Sequence, residues 1–380
     1  MKIGILTQPL HNNYGGLLQC YALQTMLQRM GHEAWVLQRI HRYEQNCWRS
    51  KAEIALKNVV KRLIGREVCK RISEEQKQTV GRHTHYFTEK YINPRTEPIY
   101  STYRLKQMAY DLGIEAYVVG SDQVWRPMYS PCITNYFIDF DCRSQVKRIA
   151  YAASFGVDHW EYTHHDTECC AALVKHFDAV SVREASGVDL CKRYLGVKAQ
   201  HVLDPTLLLD RADYERLVAN EHETQRDGSL FCYILDKAAN EQQVIESAAK
   251  ATALQPFYTM PELESTIANV TRDIEACVFP AVTAWLRSFM DAKMVVTDSF
   301  HGCVFSIIFN KPFWVIGNAG RGMARFKSLL SQFGLEERMI SVQNIATTNW
   351  QKPIDWQRVN ARRDALRVEA LQFLQKSLTL

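Results

Sequence analysis

The chain has 380 residues, 47% of them hydrophobic and 23% charged, with a formal net charge of +5. That length exceeds what one hydrophobic core usually fills, so two domains are expected, and the composition excludes a disordered or low-complexity protein. The mild basicity permits an anionic ligand or surface; outside one segment the basic residues are dispersed, which speaks against nucleic-acid binding.

The N-terminal M-K-I-G-I-L reads as a strand that starts at once. Its apolar stretch is too short for a signal peptide, and no run of about 18 apolar residues predicts a membrane-spanning helix. Eleven scattered cysteines without a C-x-x-C pair fit a reduced, cytoplasmic setting and no metal centre. After strand 2–6 comes the Gly-containing loop 11–16, then a helix over 17–30 closed by Gly31, then a strand over 34–38. This βαβ unit implies a parallel sheet. A segment from Arg49 to Arg71 carries eight Lys/Arg, two Glu and an apolar stripe near helical period. It reads as a basic amphipathic helix, which packs on the first domain or touches an anionic membrane face or a pyrophosphate-bearing lipid.

Strands are expected at 116–119, 147–152 and 179–182, each ending in small or polar residues, and a short one begins at 202–203. In open α/β sheets that edge binds ligands. The pattern restarts with a strand at 230–235, a helix over 242–252, a strand at 255–258, a helix over 281–290 and a strand at 294–296. A buried helix over 304–309, a strand at 313–316 and a long terminal helix over 354–378 follow. The divisions expected are an N-terminal α/β domain over 1–207, a C-terminal one over 208–350, and a helix over 351–380 packing back across both.

Four strand-end stretches carry candidate chemistry. Asn12, Asn13, Tyr14, Gly15 and Gly16 form either a turn or part of a substrate wall. Asp122 with Gln123 could hold sugar hydroxyls or cap a helix, and Trp125 could stack on a sugar or close the core. Arg183, directly after a buried strand, needs either an anion or an internal acid such as Glu184. The stretch T-D-S-F-H-G, Thr297 to Gly302, places His301 for proton transfer or ties it to Asp298 in the core. Arg321 and Arg325 lie in a Gly-rich basic loop that could receive an anion or face solvent. Read alone, these residues indicate two α/β domains around a cleft and a transferase acting on an anionic donor.

The ordered set N-N-Y-G-G-L-L-Q, V-G-S-D-Q-V-W, Y-A-A-S-F-G, S-V-R-E-A-S-G, V-L-D-P-T-L-L-L, T-D-S-F-H-G and K-P-F resembles the polysaccharide pyruvyl transferase family. The resemblance implies two Rossmann-like domains facing a cleft, similar to the glycosyltransferase B architecture. It implies transfer of a pyruvyl group from phosphoenolpyruvate to a sugar, giving a cyclic ketal and phosphate, with no cofactor. Under it His301 is the acid/base and Asp122 orients or deprotonates an acceptor hydroxyl. Arg183, Arg325, Arg321 and Ser299 fall on the donor side. Asn12, Asn13, Tyr14, Gly15, Gly16, Gln123 and Trp125 fall on the acceptor side. Ser299 stands where the family's R-L-H motif has its arginine. Either another arginine replaces it or the donor differs. The implied partner is a sugar of a surface polysaccharide or of its polyprenyl-pyrophosphate-linked precursor, reached in the cytoplasm or at the inner membrane face. A nucleotide-sugar glycosyltransferase and a non-catalytic glycan-binding protein are the competing readings.

Overall fold

A computed structural model describes residues 1–41, 72–236, 239–317 and 323–379. The basic segment 49–71 lies outside the described residues, as does Arg321. The first half holds β1 (Lys2–Leu6), β2 (Glu33–Val36), β3 (Ala116–Val119), β4 (Lys147–Ala153), β5 (Ala179–Val182) and β6 (Gln200–His201). The second holds β7 (Leu230–Tyr233), β8 (Pro256–Phe257), β9 (Met294–Thr297), β10 (Phe313–Ile316) and β11 (Met339–Ile340). The short strand expected at 202–203 lies two residues earlier. Val202 gives its N–H to the Val182 carbonyl, and the chain then turns at Asp204-Pro205. The two-residue β11 had no recognisable sequence signal.

Both sheets are parallel throughout, in the orders β2-β1-β3-β4-β5-β6 and β11-β10-β9-β7-β8. Strands such as A-Y-V-V of β3 and M-V-V-T of β9 are buried at every position, because helices cover both faces of a parallel sheet. The expected fold class, α/β with two parallel-sheet domains, is the one observed. Each order reverses once, at β1/β3 in the first sheet and at β7/β9 in the second. A reversal leaves a crevice outside the carboxyl ends of the two strands, because their following connections depart to opposite faces.

The two halves share one apolar core. Tyr14 stacks on Trp285 across the halves at 5.4 Å and donates from its hydroxyl to the Pro280 carbonyl at 2.9 Å. The helix Trp356–Thr379 starts on the second half, where Arg358 donates to Gly334 O at 3.1 Å. It ends against the first half, with Phe373 6.3 Å from Tyr151. Among the described residues no helix is long and apolar enough to cross a membrane.

Candidate functional site

At the β1/β3 crevice two polar side chains fix the strand ends. Gln19 donates to Thr7 Oγ1 at 2.7 Å and accepts from the Ser121 N–H at 3.1 Å, while Thr7 Oγ1 donates to the Ser121 carbonyl at 3.1 Å. The chain then reaches Asp122 at φ 68, a backbone region that asparagine and aspartate tolerate better than most residues. A cleft of 520 Å³ opens here, lined by Gln8, Asn13, Gly16, His41, Asp122 and Gln123 among others. Four residues expected from sequence, Asn13, Gly16, Asp122 and Gln123, therefore face one cavity. Asn13 also caps the helix Tyr14–Arg29, accepting from the Gly16 N–H at 3.1 Å.

At the β7/β9 crevice every residue of T-D-S-F-H-G has an assignment. The Thr297 hydroxyl donates to Tyr233 O at 2.7 Å and accepts from the Ser299 N–H at 3.0 Å. Asp298 spans the crevice, accepting from the N–H groups of Leu235 and Asp236, each at 2.8 Å. The alternative of a histidine tied to Asp298 is thus not the arrangement found. Ser299 caps the helix Phe300–Ile308, so the buried helix starts four residues earlier than its apolar run and takes in His301. Gly302 packs on Thr297; a Cβ there would come within 2.2 Å of Thr297 Oγ1.

The halves meet at His301. Its Nε2 points at Asp204 Oδ2 from 3.7 Å and has no hydrogen-bond partner among the described residues. Gly15 lies against the ring so closely that a Cβ would fall 2.0 Å from His301 Nδ1. The first-half helix therefore approaches the histidine through a missing side chain.

Arg183 is the centre of the surrounding charges. It is almost wholly buried, donates to Asp204 Oδ2 at 2.8 Å and to Asp122 Oδ1 at 3.3 Å, and lies 3.9 Å from Glu184 Oε1. Its guanidinium stacks on the Phe300 ring at 4.4 Å. Arg183 is thus not an open anion site: the acid partner weighed in the sequence is present three times over. Burial alone would raise the Asp204 carboxyl, but His301 and Arg183 outweigh it and hold the group well below the usual carboxylate range. Asp122 follows the same pattern, with burial opposed by Arg183, His301 and Arg325. Glu184 goes the other way. Burial lifts it above the usual range despite Arg183 and a hydrogen bond from the Ser154 hydroxyl. Burial, together with Arg183, pushes Arg325 down to about 10, although Glu184 and Asp122 draw it up.

Three expected acceptor residues are elsewhere. Trp125 is fully buried, stacks on Phe137 at 5.0 Å and donates from Nε1 to Tyr136 O at 3.1 Å, so it closes the core and offers no face to a sugar. Tyr14 is the bolt between the halves described above. Asn12 accepts from the Thr84 hydroxyl at 2.5 Å and lines a neighbouring cavity. Ser299 is the cap of the helix Phe300–Ile308. Asp204 carries no local signal in the sequence, because it lies 21 residues from Arg183 in the chain and meets it only through the fold.

Solved structures with a similar chain path include the UDP-GlcNAc 2-epimerase from Neisseria meningitidis bound to UDP-GlcNAc, at 10% identity and a TM-score of 0.49, with 100% of both chains covered. Others are an alpha-glucosyltransferase in complex with UDP and a 13-mer DNA, at 9% identity, TM-score 0.47 and coverage of 98% of this chain and 95% of that one, and the UDP-N-acetylglucosamine 2-epimerase from Rickettsia bellii, at 10%, 0.48, 99% and 96%. A search of curated proteins finds no match. The family model described as polysaccharide pyruvyl transferase matches residues 13–320, which takes in Asn13 to Gly16, the β3 end, Arg183, Asp204 and His301. This chain belongs to the polysaccharide pyruvyl transferase family.

Proposed function

We propose that the protein transfers the pyruvyl group of phosphoenolpyruvate to two hydroxyls of a sugar, forming a cyclic ketal and releasing phosphate. The observation that carries this reading, beside the family, is His301. It lies where the crevices of the two sheets meet, backed by Asp204 and beside a cleft lined by Asp122. Protonation of the enol carbon C3 turns the methylene into a methyl group and makes C2 electrophilic. One sugar hydroxyl adds to C2, the C2–O bond to phosphate breaks, and the second hydroxyl closes the ketal. One hydroxyl proton is balanced by the new methyl C–H, and the other leaves with phosphate.

His301 delivers and collects these protons, and the buried Asp204 carboxylate balances the imidazolium when it forms. Arg183 locks Asp122 and Asp204 in place. The half-buried Arg325, beside them, supplies positive charge for the donor's phosphate and carboxylate. On this reading Ser299 can replace the family's arginine because its helix cap is needed there and another arginine supplies the charge. Asp122, at the cleft wall, takes the proton of the first acceptor hydroxyl. The acceptor is a sugar of a surface polysaccharide or of its lipid-linked precursor. His301→Ala is expected to abolish acceptor-dependent phosphate release from phosphoenolpyruvate while the far-UV circular dichroism stays that of the wild type. Turnover by this variant near the wild-type rate would remove His301 from the mechanism. Release from a nucleotide sugar but not from phosphoenolpyruvate would replace the reading with glycosyl transfer.

A further inference from the structure

With Trp125 sealed in the core, the cleft at the β1/β3 crevice still has an aromatic wall. Tyr129 and Met128 line it and are 44% and 66% exposed, unusual for two adjacent apolar side chains on an ordered loop. The loop that carries them is fixed at several points. The Arg126 guanidinium lies over the Tyr129 ring at 4.8 Å. Arg126 is itself gripped by both oxygens of Glu161 at 2.8 and 3.0 Å, and donates to Gln123 Oε1 at 3.2 Å. From the other side, Gln8 donates to Gln123 O at 2.7 Å and to Ser130 Oγ at 3.2 Å, and Ser130 Oγ donates to Val124 O at 2.7 Å. Tyr129 is therefore held in the free protein with one ring face on a cation and much of the ring still open to solvent. The same cleft is also lined by polar groups, among them Asn13, His41 and Asp122.

A cleft lined by both an open aromatic ring and hydrogen-bonding groups suits a ligand with a C–H face and hydroxyls, as a sugar has. We propose that Tyr129 is the stacking platform of the acceptor subsite, taking the C–H face of a hexopyranose and turning its hydroxyls toward Asp122. This assignment rests on the pyruvyl-transfer reading for what happens next, but not for the binding itself. Pre-ordering by Arg126 and Glu161 removes the rotamer entropy that a free tyrosine would lose on binding. The subsite is therefore an acceptor-specificity element.

The test compares wild type, Tyr129→Ala and Tyr129→Phe in two assays. One is phosphate release, with acceptor and phosphoenolpyruvate titrated separately. The other is capture on an array of galactose-, glucose- and mannose-terminated oligosaccharides. Tyr129→Ala is expected to raise the acceptor KM about tenfold and weaken glycan capture to match, leaving the phosphoenolpyruvate KM unchanged. Tyr129→Phe restores both, because the ring face and not the hydroxyl is used. Because Tyr129 is so exposed, neither change threatens the fold. A wild type that captures glycans through Tyr129 yet releases no phosphate from phosphoenolpyruvate ends the pyruvyl-transfer reading and upholds the subsite. Equal capture by wild type and Tyr129→Ala, a Tyr129→Phe variant as weak as Tyr129→Ala, or no capture by the wild type each overturns the subsite.

Discussion

Replacing Asp204 with Asn tests the charge cluster while disturbing its shape little. Oδ1 of Asp204 accepts from the Thr206 N–H at 3.0 Å and from the Thr206 hydroxyl at 2.7 Å, and an amide oxygen can keep both. What is lost is the negative charge and the Oδ2 acceptor that faces Arg183 at 2.8 Å, the Ser121 hydroxyl at 3.3 Å and His301 at 3.7 Å. Removing one partner of a buried ion pair costs about 3–5 kcal/mol, since the remaining charge has no water to turn to. Arg183 keeps Asp122 at 3.3 Å and Glu184 at 3.9 Å, so the lower end applies. We expect a loss of about 3 kcal/mol, roughly 150-fold in the folding equilibrium. The pH dependence has a definite sign. The folded carboxyl is depressed, so its contribution is present above the unfolded value of about 3.9 and is lost as pH falls through the folded value. Denaturant titration of both proteins should give a stability gap that is constant from about pH 8 to about pH 5 and narrows below about pH 4. A gap under about 1 kcal/mol at neutral pH, or one that widens on acidification, would refute the reasoning.

Gly15→Ala places a Cβ 2.0 Å from His301 Nδ1, and either the ring or the helix must move. We expect phosphate release to fall at least about tenfold with a stability loss of about 1–3 kcal/mol; unchanged turnover would separate Gly15 from the histidine. Trp125→Phe should cost about 1–3 kcal/mol through the lost Tyr136 hydrogen bond and a small cavity, with the acceptor KM unmoved. A raised acceptor KM in that variant would return Trp125 to the sugar site. Burial pushes the Cys20 thiol up to about 12, whereas Cys142 is exposed. Peptide mass spectrometry after brief thiol alkylation should therefore find Cys142 modified and Cys20 intact until the protein is unfolded.

The elements of the sheets were largely legible, because a strand buried on both faces must be a continuous apolar run, and such runs mark β1, β3, β4, β5, β7, β9 and β10. Two of the two-residue strands were not. Gln200–His201 and Met339–Ile340 have no such run and pair only because their neighbours present free ladder groups. The helix start at Phe300 was also missed, since Ser299 reads as a cap only once the chain around Thr297 is seen to turn. His301, Asp122, Arg183 and Arg325 could be picked out from chain position alone, as polar residues at or near strand ends. Their relations could not. Arg183 looked like an anion site because its sequence neighbours supply just one acid, Glu184; the fold brings Asp122 and Asp204 from 61 and 21 residues away to take its donors.

Trp125 shows the same limit from the other side. Its sequence shows an aromatic after G-S-D-Q, and only the packing of Phe137 and Phe155 around it decides between core and platform. What the amino-acid sequence determined by itself was the family, the two-sheet plan and the chemistry available at the strand ends, since these follow from local apolar runs and motifs. What only the tertiary structure decided was which charges meet, which aromatic stays open, and that a glycine in one half makes room for a histidine in the other. Ion pairing and burial depend on distance in space, and distance in space is set by how the sheets and their helices pack.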